Sequence, residues 1–271
     1  MKPAKNKGPY LTRLFCTFSL LICANEMAFG GTTYAVVVAI ADYKNFRPRE
    51  GDLTYTVSDA TRFYNYLRSN AGGNIPTNQM RYITNDKASK AEIISAVQYI
   101  FKFAKSGDKV IFYFSGHGDK GAFLPYDTRP DGHQMLQHSE IKELFKACRA
   151  GTKICIADAC YSGSITRKDI QHRVADKASN QADSNVVLLM SSRPDETSLE
   201  SAELKQGLFS YYLIRGLQGH ADTDRNRKIT IKELFGYVHK NVSAVADKRF
   251  RSSQHPMAHG RFSKEMIITA Y

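Results

Sequence analysis

Two stretches of this 271-residue chain put reactive side chains at the ends of apolar runs. Lys153-Ile154-Cys155-Ile156-Ala157-Asp158-Ala159-Cys160-Tyr161-Ser162-Gly163 carries an apolar strand pattern into an acid, a thiol and a turn-forming Ser-Gly. Lys109-Val110-Ile111-Phe112-Tyr113-Phe114-Ser115-Gly116-His117-Gly118 delivers a histidine between two glycines. A thiol is a poor nucleophile until deprotonated, so a cysteine enzyme needs a base or positive charge beside the sulfur, and histidine supplies either near neutral pH. Cys160 and His117 are therefore the candidate catalytic pair. The flanking glycines allow the backbone to turn sharply and approach a ligand, which makes the Gly118 amide a candidate oxyanion donor. Strand side chains alternate with period 2, so Asp158 and Cys160 point to the same side if extended geometry persists. A carboxylate there raises a thiol pKa, which disfavours the thiolate, and suits a cationic substrate side chain.

The elements that must hold these residues follow from hydrophobic periodicity. From Thr33 onward apolar strand runs alternate with amphipathic helix patterns, the mark of a parallel sheet covered on both faces. The first strand is read at Tyr34 to Ala41, and the first helix buries Val57, Ala60, Phe63, Tyr64 and Leu67. A short strand covers Gln79 to Thr84, and Ser89-Lys90-Ala91-Glu92 reads as a capping box opening a helix. Further helices are expected at about Ser139 to Cys148, Gly207 to Leu217 and Thr230 to Val245, and a further strand at Asn185 to Ser191. In an open sheet of this kind ligands bind beyond the carboxyl ends of the strands, where Cys160 and His117 both fall.

On these residues the chain resembles the caspase-like cysteine peptidases. Tyr113-Phe114-Ser115-Gly116-His117-Gly118, followed by Asp158-Ala159-Cys160-Tyr161-Ser162-Gly163, is similar to their dyad signature, and nearer to the metacaspase and paracaspase branch than to animal caspases. The resemblance extends over residues 32 to 271. It implies a caspase-like three-layer α/β/α sandwich with a mostly parallel central sheet. It also implies a cysteine endopeptidase in which His117 and Cys160 are catalytic and the amides of Gly118 and Cys160 hold the oxyanion. In the metacaspase branch an acid two residues before the cysteine selects Arg or Lys, and Asp158 occupies that position. The same resemblance places Asp59 and Ser115 in the substrate pocket. The expected partners are protein or peptide substrates with basic residues. A catalytically silent scaffold on the same fold, and a legumain-like or gingipain-like hydrolase of other specificity, stay open as alternatives.

Bulk composition fits one domain: 271 residues with 42% hydrophobic content suit a single core. The net charge of +12 is scattered rather than blocked, and no nucleic-acid-binding motif accompanies it, so nucleic acid is not expected as a partner. Residues 1–30 join a basic start to the apolar run Leu14 to Ala24, the length of a secretory signal, and predict an exported, periplasmic or secreted protein, with a membrane anchor as the alternative. Residues 164–184 are polar and basic, and read as an exposed linker open to self-processing by an enzyme that prefers basic residues. If Cys16 and Cys23 leave with the signal, the odd number of cysteines remaining favours a free thiol.

The chemistry requires no cofactor, and calcium dependence stays open. Asp222, Asp224, Asn226 and Glu233 fit the spacing of a calcium loop, although Arg227 stands where such a loop needs glycine. The competing reading has Thr230 capping the following helix with Glu233 completing a capping box. The remaining histidines (His133, His138, His172, His220, His239, His255 and His259) are expected at the surface.

Overall fold

A computed structural model describes residue 1 and residues 31–46, 52–119, 121–160 and 186–271. The calls on segments 1–30 and 164–184 lie outside the described residues. By internal contacts, Gly31–Tyr271 forms one compact unit.

Its centre is a six-stranded sheet. The strands are β1 (Thr33–Ala39), β2 (Met80–Thr84), β3 (Lys109–Ser115), β4 (Thr152–Asp158), β5 (Val186–Met190) and β6 (Met257–Arg261). Their spatial order is β6-β5-β4-β3-β1-β2. All neighbours pair in parallel except β6, which runs antiparallel along β5. Parallel strands buried on both faces need near-continuous apolar runs, and β3 shows this: Val110 to Phe114 are all apolar and buried.

Period-2 alternation divides each strand between two cores. Val37, Tyr113 and Ile156 face one layer, formed by α1 (Thr56–Arg68) and two later helices introduced below. Val38, Phe112 and Cys155 face the other, formed by α2 (Lys90–Phe101) and α3 (His138–Ala147). The later helices are α4 (Leu208–Arg215) and α5 (Ile231–Val245), whose buried residues join those of α1. The result is a three-layer α/β/α architecture with a mostly parallel sheet, as expected.

Local signals placed the helices well. Ser89 Oγ accepts the Glu92 amide at 3.3 Å and opens α2. At α5 both halves of the capping box form, with Thr230 Oγ1 accepting the Glu233 amide and the Glu233 carboxylate accepting from Thr230. One surface call is corrected. His138 is buried, because α3 begins at this residue and turns its ring onto Phe123, with ring centroids 4.6 Å apart.

Candidate active site

The parallel register brings the two chemistry-bearing strand ends side by side, since Ser115 at the end of β3 pairs with Asp158 at the end of β4. The chain then turns at both ends. Gly116 donates its amide to the Asp158 carbonyl at 3.2 Å, so the turn toward His117 is fastened to the strand that leads to Cys160. Beyond it, Gly118–Asp119 pairs with Ala122–Phe123 as a short hairpin. The hairpin bond runs from the Leu124 amide to the His117 carbonyl at 3.0 Å. Gly118 and Phe123 therefore form a non-hydrogen-bonded pair, and the Gly118 N–H points out of the ladder. A Cβ on Gly118 would collide with the Cys160 carbonyl, so the two backbones touch here, and glycine is required by the close approach.

Cys160 is half-buried and sits one residue after a doubly held turn. The Ala159 amide donates to Ser191 Oγ at 3.2 Å, and the same hydroxyl approaches the Ala159 carbonyl at 3.2 Å. The thiol is pushed above its ordinary range, chiefly by burial and also by the Asp158 charge. Cys148 and Cys155 are also free thiols, but both are buried in the core, and burial pushes Cys155 up to about 12.

His117 is held by a residue that sequence reasoning did not single out. The His117 amide donates to Tyr43 Oη at 2.6 Å, and the Tyr43 ring lies against the imidazole with centroids 5.0 Å apart. Tyr43 is almost fully buried, which keeps its hydroxyl protonated. Its place just beyond the carboxyl end of β1, in the crevice where α/β sheets bind ligands, was the available signal.

Asp158, Asp59 and Ser115 gather on the α1 face of the sheet, all buried. Asp158 Oδ1 accepts from Ser198 Oγ at 2.5 Å and Oδ2 from Ser210 Oγ at 2.6 Å. Ser210 Oγ also bonds to Tyr113 Oη at 2.7 Å. Asp59 Oδ2 accepts the Gly207 amide at 2.8 Å, whereas Oδ1 is buried with no hydrogen-bond partner among the described residues. A Cβ on Gly207 would stand 3.0 Å from Asp59 Oδ2 and 3.1 Å from Asp158 Oδ2, so the two carboxylates converge on one small volume. Burial, and then the neighbouring Asp158 charge, push the Asp59 carboxyl up to about 8. Burial likewise raises Asp158, while the two serine hydroxyls act to keep it ionised. Two carboxylates buried this close do not both ionise without cost, and a guanidinium or ammonium group between them would remove that cost.

The carboxylate pair is framed from a distance in sequence. Glu200 accepts the amides of Thr54 at 3.0 Å and Tyr55 at 2.7 Å, capping the start of α1 where no side chain of its own N-cap does so. Gln254, fully buried, donates to Ser198 Oγ at 3.2 Å and to the Ser191 carbonyl at 3.0 Å. Nothing in the spacing of Ser198, Glu200, Ser210 or Gln254 marked them, because their partners lie 40 to 146 residues away.

Residues proposed for calcium sit elsewhere in the unit. Carboxylate oxygens of Asp222, Asp224 and Glu233 lie within 4.8 Å of one another. These oxygens are engaged by the chain itself: Asp222 accepts the amides of Asn226 and Arg227 and the Tyr271 hydroxyl, and Glu233 accepts from Thr223 and Thr230. Asn226 turns its carbonyl oxygen to the Lys228 amide at 2.8 Å. Arg227 takes φ of 62°, the left-handed conformation that glycine adopts without strain. Asp127, downstream of His117, accepts the Lys90 amide at 2.8 Å at the start of α2.

Comparison with known proteins agrees with this architecture. The caspase domain family matches residues 32–267. Metacaspase-1A of Aspergillus oryzae is 28% identical over 154 residues, covering 49% of this chain and 35% of that protein. Metacaspase-1 of Emericella nidulans is 27% identical over 140 residues, covering 44% of this chain and 34% of that one. The match thus spans about a third of the length of these curated relatives. Among solved structures, caspase-1 from Spodoptera frugiperda superposes with a TM-score of 0.62 at 15% identity, covering 87% of this chain and 88% of its own. Protein GSU0716 from Geobacter sulfurreducens gives a TM-score of 0.59 at 15% identity, covering 86% and 94%. At that identity the likeness is one of fold.

Proposed function

The chain belongs to the caspase domain family, which matches residues 32–267, and from that premise we propose that it is a cysteine endopeptidase cleaving after Arg or Lys. The observation that carries the specificity is the convergence of two buried carboxylates, Asp59 and Asp158, on one volume beside Gly207. In this reading Cys160 Sγ attacks the scissile carbonyl after its proton passes to the His117 imidazole. The backbone amides of Gly118 and Cys160 stabilise the oxyanion, and His117 returns the proton to the leaving amine. Water then hydrolyses the thioester and frees Cys160. The substrate cation lies against Asp158 and Asp59, with Ser115 lining the same buried face. Self-processing at a basic linker and export from the cytoplasm belong to this proposal. Calcium enters it as a condition to vary.

The test is hydrolysis of reporter peptides ending in Arg, Lys, Asp or Asn, with calcium present or chelated and Cys160→Ala in parallel. Cleavage after Arg or Lys that disappears in Cys160→Ala is the expected result. Preference for Asp or Asn would overturn the pocket assignment. Silence toward every peptide at every calcium level would favour a scaffold.

A further inference from the structure

One end of the unit carries exposed rings and cations that the peptidase chemistry does not use. Tyr99, near the end of α2, is 46% exposed, and Phe103, just beyond the helix, is 47% exposed. The two rings meet edge to face with centroids 5.6 Å apart. Lys102 Nζ lies over both, 4.3 Å from the Tyr99 centroid and 4.9 Å from that of Phe103, and the Arg81 guanidinium lies 5.1 Å from the Tyr99 centroid. Lys102 and Lys105 are exposed. So is Arg149, which follows Cys148, whose thiol donates to the Phe101 carbonyl at 3.7 Å. Asp108 adds a carboxylate to this stretch, but its two oxygens accept the amides of Thr32 and Lys105, each at 2.8 Å.

Backbone contacts place the patch at the amino ends of the strands. The Lys109 amide, opening β3, donates to the Thr32 carbonyl at 2.9 Å, and the Thr152 amide, opening β4, donates to the Asp108 carbonyl at 3.1 Å. A Cβ on Gly151 would collide with the Ser106 carbonyl, and one on Gly31 with the Gly107 carbonyl. The chain therefore enters the unit at Gly31 beside the segment that carries Phe103 and Lys105. The sequence before that point holds Lys2, Lys5, Lys7, Arg13 and the apolar run Leu14 to Ala24. His117 and Cys160 follow the opposite ends of β3 and β4, roughly 20 Å away for strands of this length.

We propose that this end of the molecule docks on an anionic lipid surface, with Tyr99 and Phe103 in the headgroup region and Arg81, Lys102, Lys105 and Arg149 against lipid phosphates. The end that carries Cys160 then faces away from the bilayer. This inference is independent of the peptidase reading. Aromatic rings settle at the boundary between headgroups and acyl chains. Cations beside an anionic leaflet add attraction, and long basic side chains lay their stems along apolar surface while their charges reach outward. Nucleic acid is the rival partner for rings and cations together. Base stacking needs an open ring face, whereas here Lys102 lies over both rings and Arg81 over Tyr99. Entry of the chain at the same end, directly after a sequence with an apolar run, also favours lipid.

The chain contains no tryptophan, so one substitution installs a single reporter. Tyr99→Trp and Phe103→Trp are made separately in the full chain. Ala202→Trp is the control, at an exposed position in the stretch leading to Gly207 at the other end of the sheet. Each is mixed with vesicles of phosphatidylglycerol and phosphatidylcholine whose acyl chains are brominated, and with brominated phosphatidylcholine vesicles alone. The expected result is quenching of Tyr99→Trp and Phe103→Trp on the anionic vesicles, little on the neutral ones, and none of Ala202→Trp. Adding Lys102→Glu and Lys105→Glu to Phe103→Trp should cut the quenching by about half or more, with circular dichroism confirming the fold.

Absence of quenching at both ring positions would overturn the proposal, and so would equal quenching on neutral vesicles. Quenching that survives the two charge reversals unchanged would mean that residues 1–30 alone bring the protein to the vesicle, and would remove the patch from the interaction. An emission change of Phe103→Trp with polyuridylate but not with vesicles would give the patch to nucleic acid instead.

Discussion

At the scale of single residues, Asp59 is a buried carboxyl held far above its ordinary range. Among the described residues, one of its oxygens is buried without a hydrogen-bond partner and the other accepts the Gly207 amide. Its carboxyl is pushed up to about 8 from an unfolded value near 4, so the folded state binds more protons than the unfolded state between those limits. Stability from this group therefore falls as pH rises from about 4 to about 8, and is fully lost above. Asp59→Asn should match the parent in urea unfolding near pH 4 and exceed it at pH 9 by roughly 1 to 4 kcal/mol, while losing on the order of a hundredfold in kcat/KM toward Arg peptides. Equal stabilities at both pH values would mean that the carboxyl is not held against its solvation. Asp158 was legible because period-2 alternation fixes its face from sequence. Tyr43, Ser198, Ser210 and Gln254 were not, since each is a polar residue in a polar stretch whose role exists only through a partner brought there by the sheet.

Elements show the same division between local and non-local information. The cap of α5 was readable, because Thr230 and Glu233 sit three residues apart and need nothing else. The cap of α1 was hidden, because its acceptor, Glu200, is 145 residues from the amide that it meets at 2.7 Å. These two caps are comparable in strength and differ in consequence. Thr230→Ala should cost about 1 kcal/mol of stability and leave KM for Arg peptides unchanged. Glu200→Ala should cost a similar 1 to 2 kcal/mol and also raise KM several-fold, because α1 carries Asp59 and loses its attachment to the segment leading to Gly207. Thermal melts with steady-state kinetics separate the two. An unchanged KM in Glu200→Ala would show that the Gly207 amide alone fixes Asp59.

For the whole molecule, alternating strand and helix signals gave the parallel sheet and both covering layers. The antiparallel edge, β6, was not anticipated, since Met257-Ala258-His259-Gly260-Arg261 lacks both an apolar run and an alternating one. It exists because β5 offers an open edge along Val186–Met190. The groups that matter to the site enter from Tyr43, Asp59, His117, Cys160, Ser198, Ser210 and Gln254, spread over most of the unit, and no hairpin or local helix pair contains a working subset. Contacts of such sequence separation form late in folding. Recovery of peptide hydrolysis after dilution from urea should therefore follow the slowest refolding phase, and activity preceding that phase would contradict a site assembled this way. On the proposed peptidase reading, a newborn chain of this kind is harmless to its neighbours until its last long-range pairing closes, and a damaged one is disarmed by the first pairing to open.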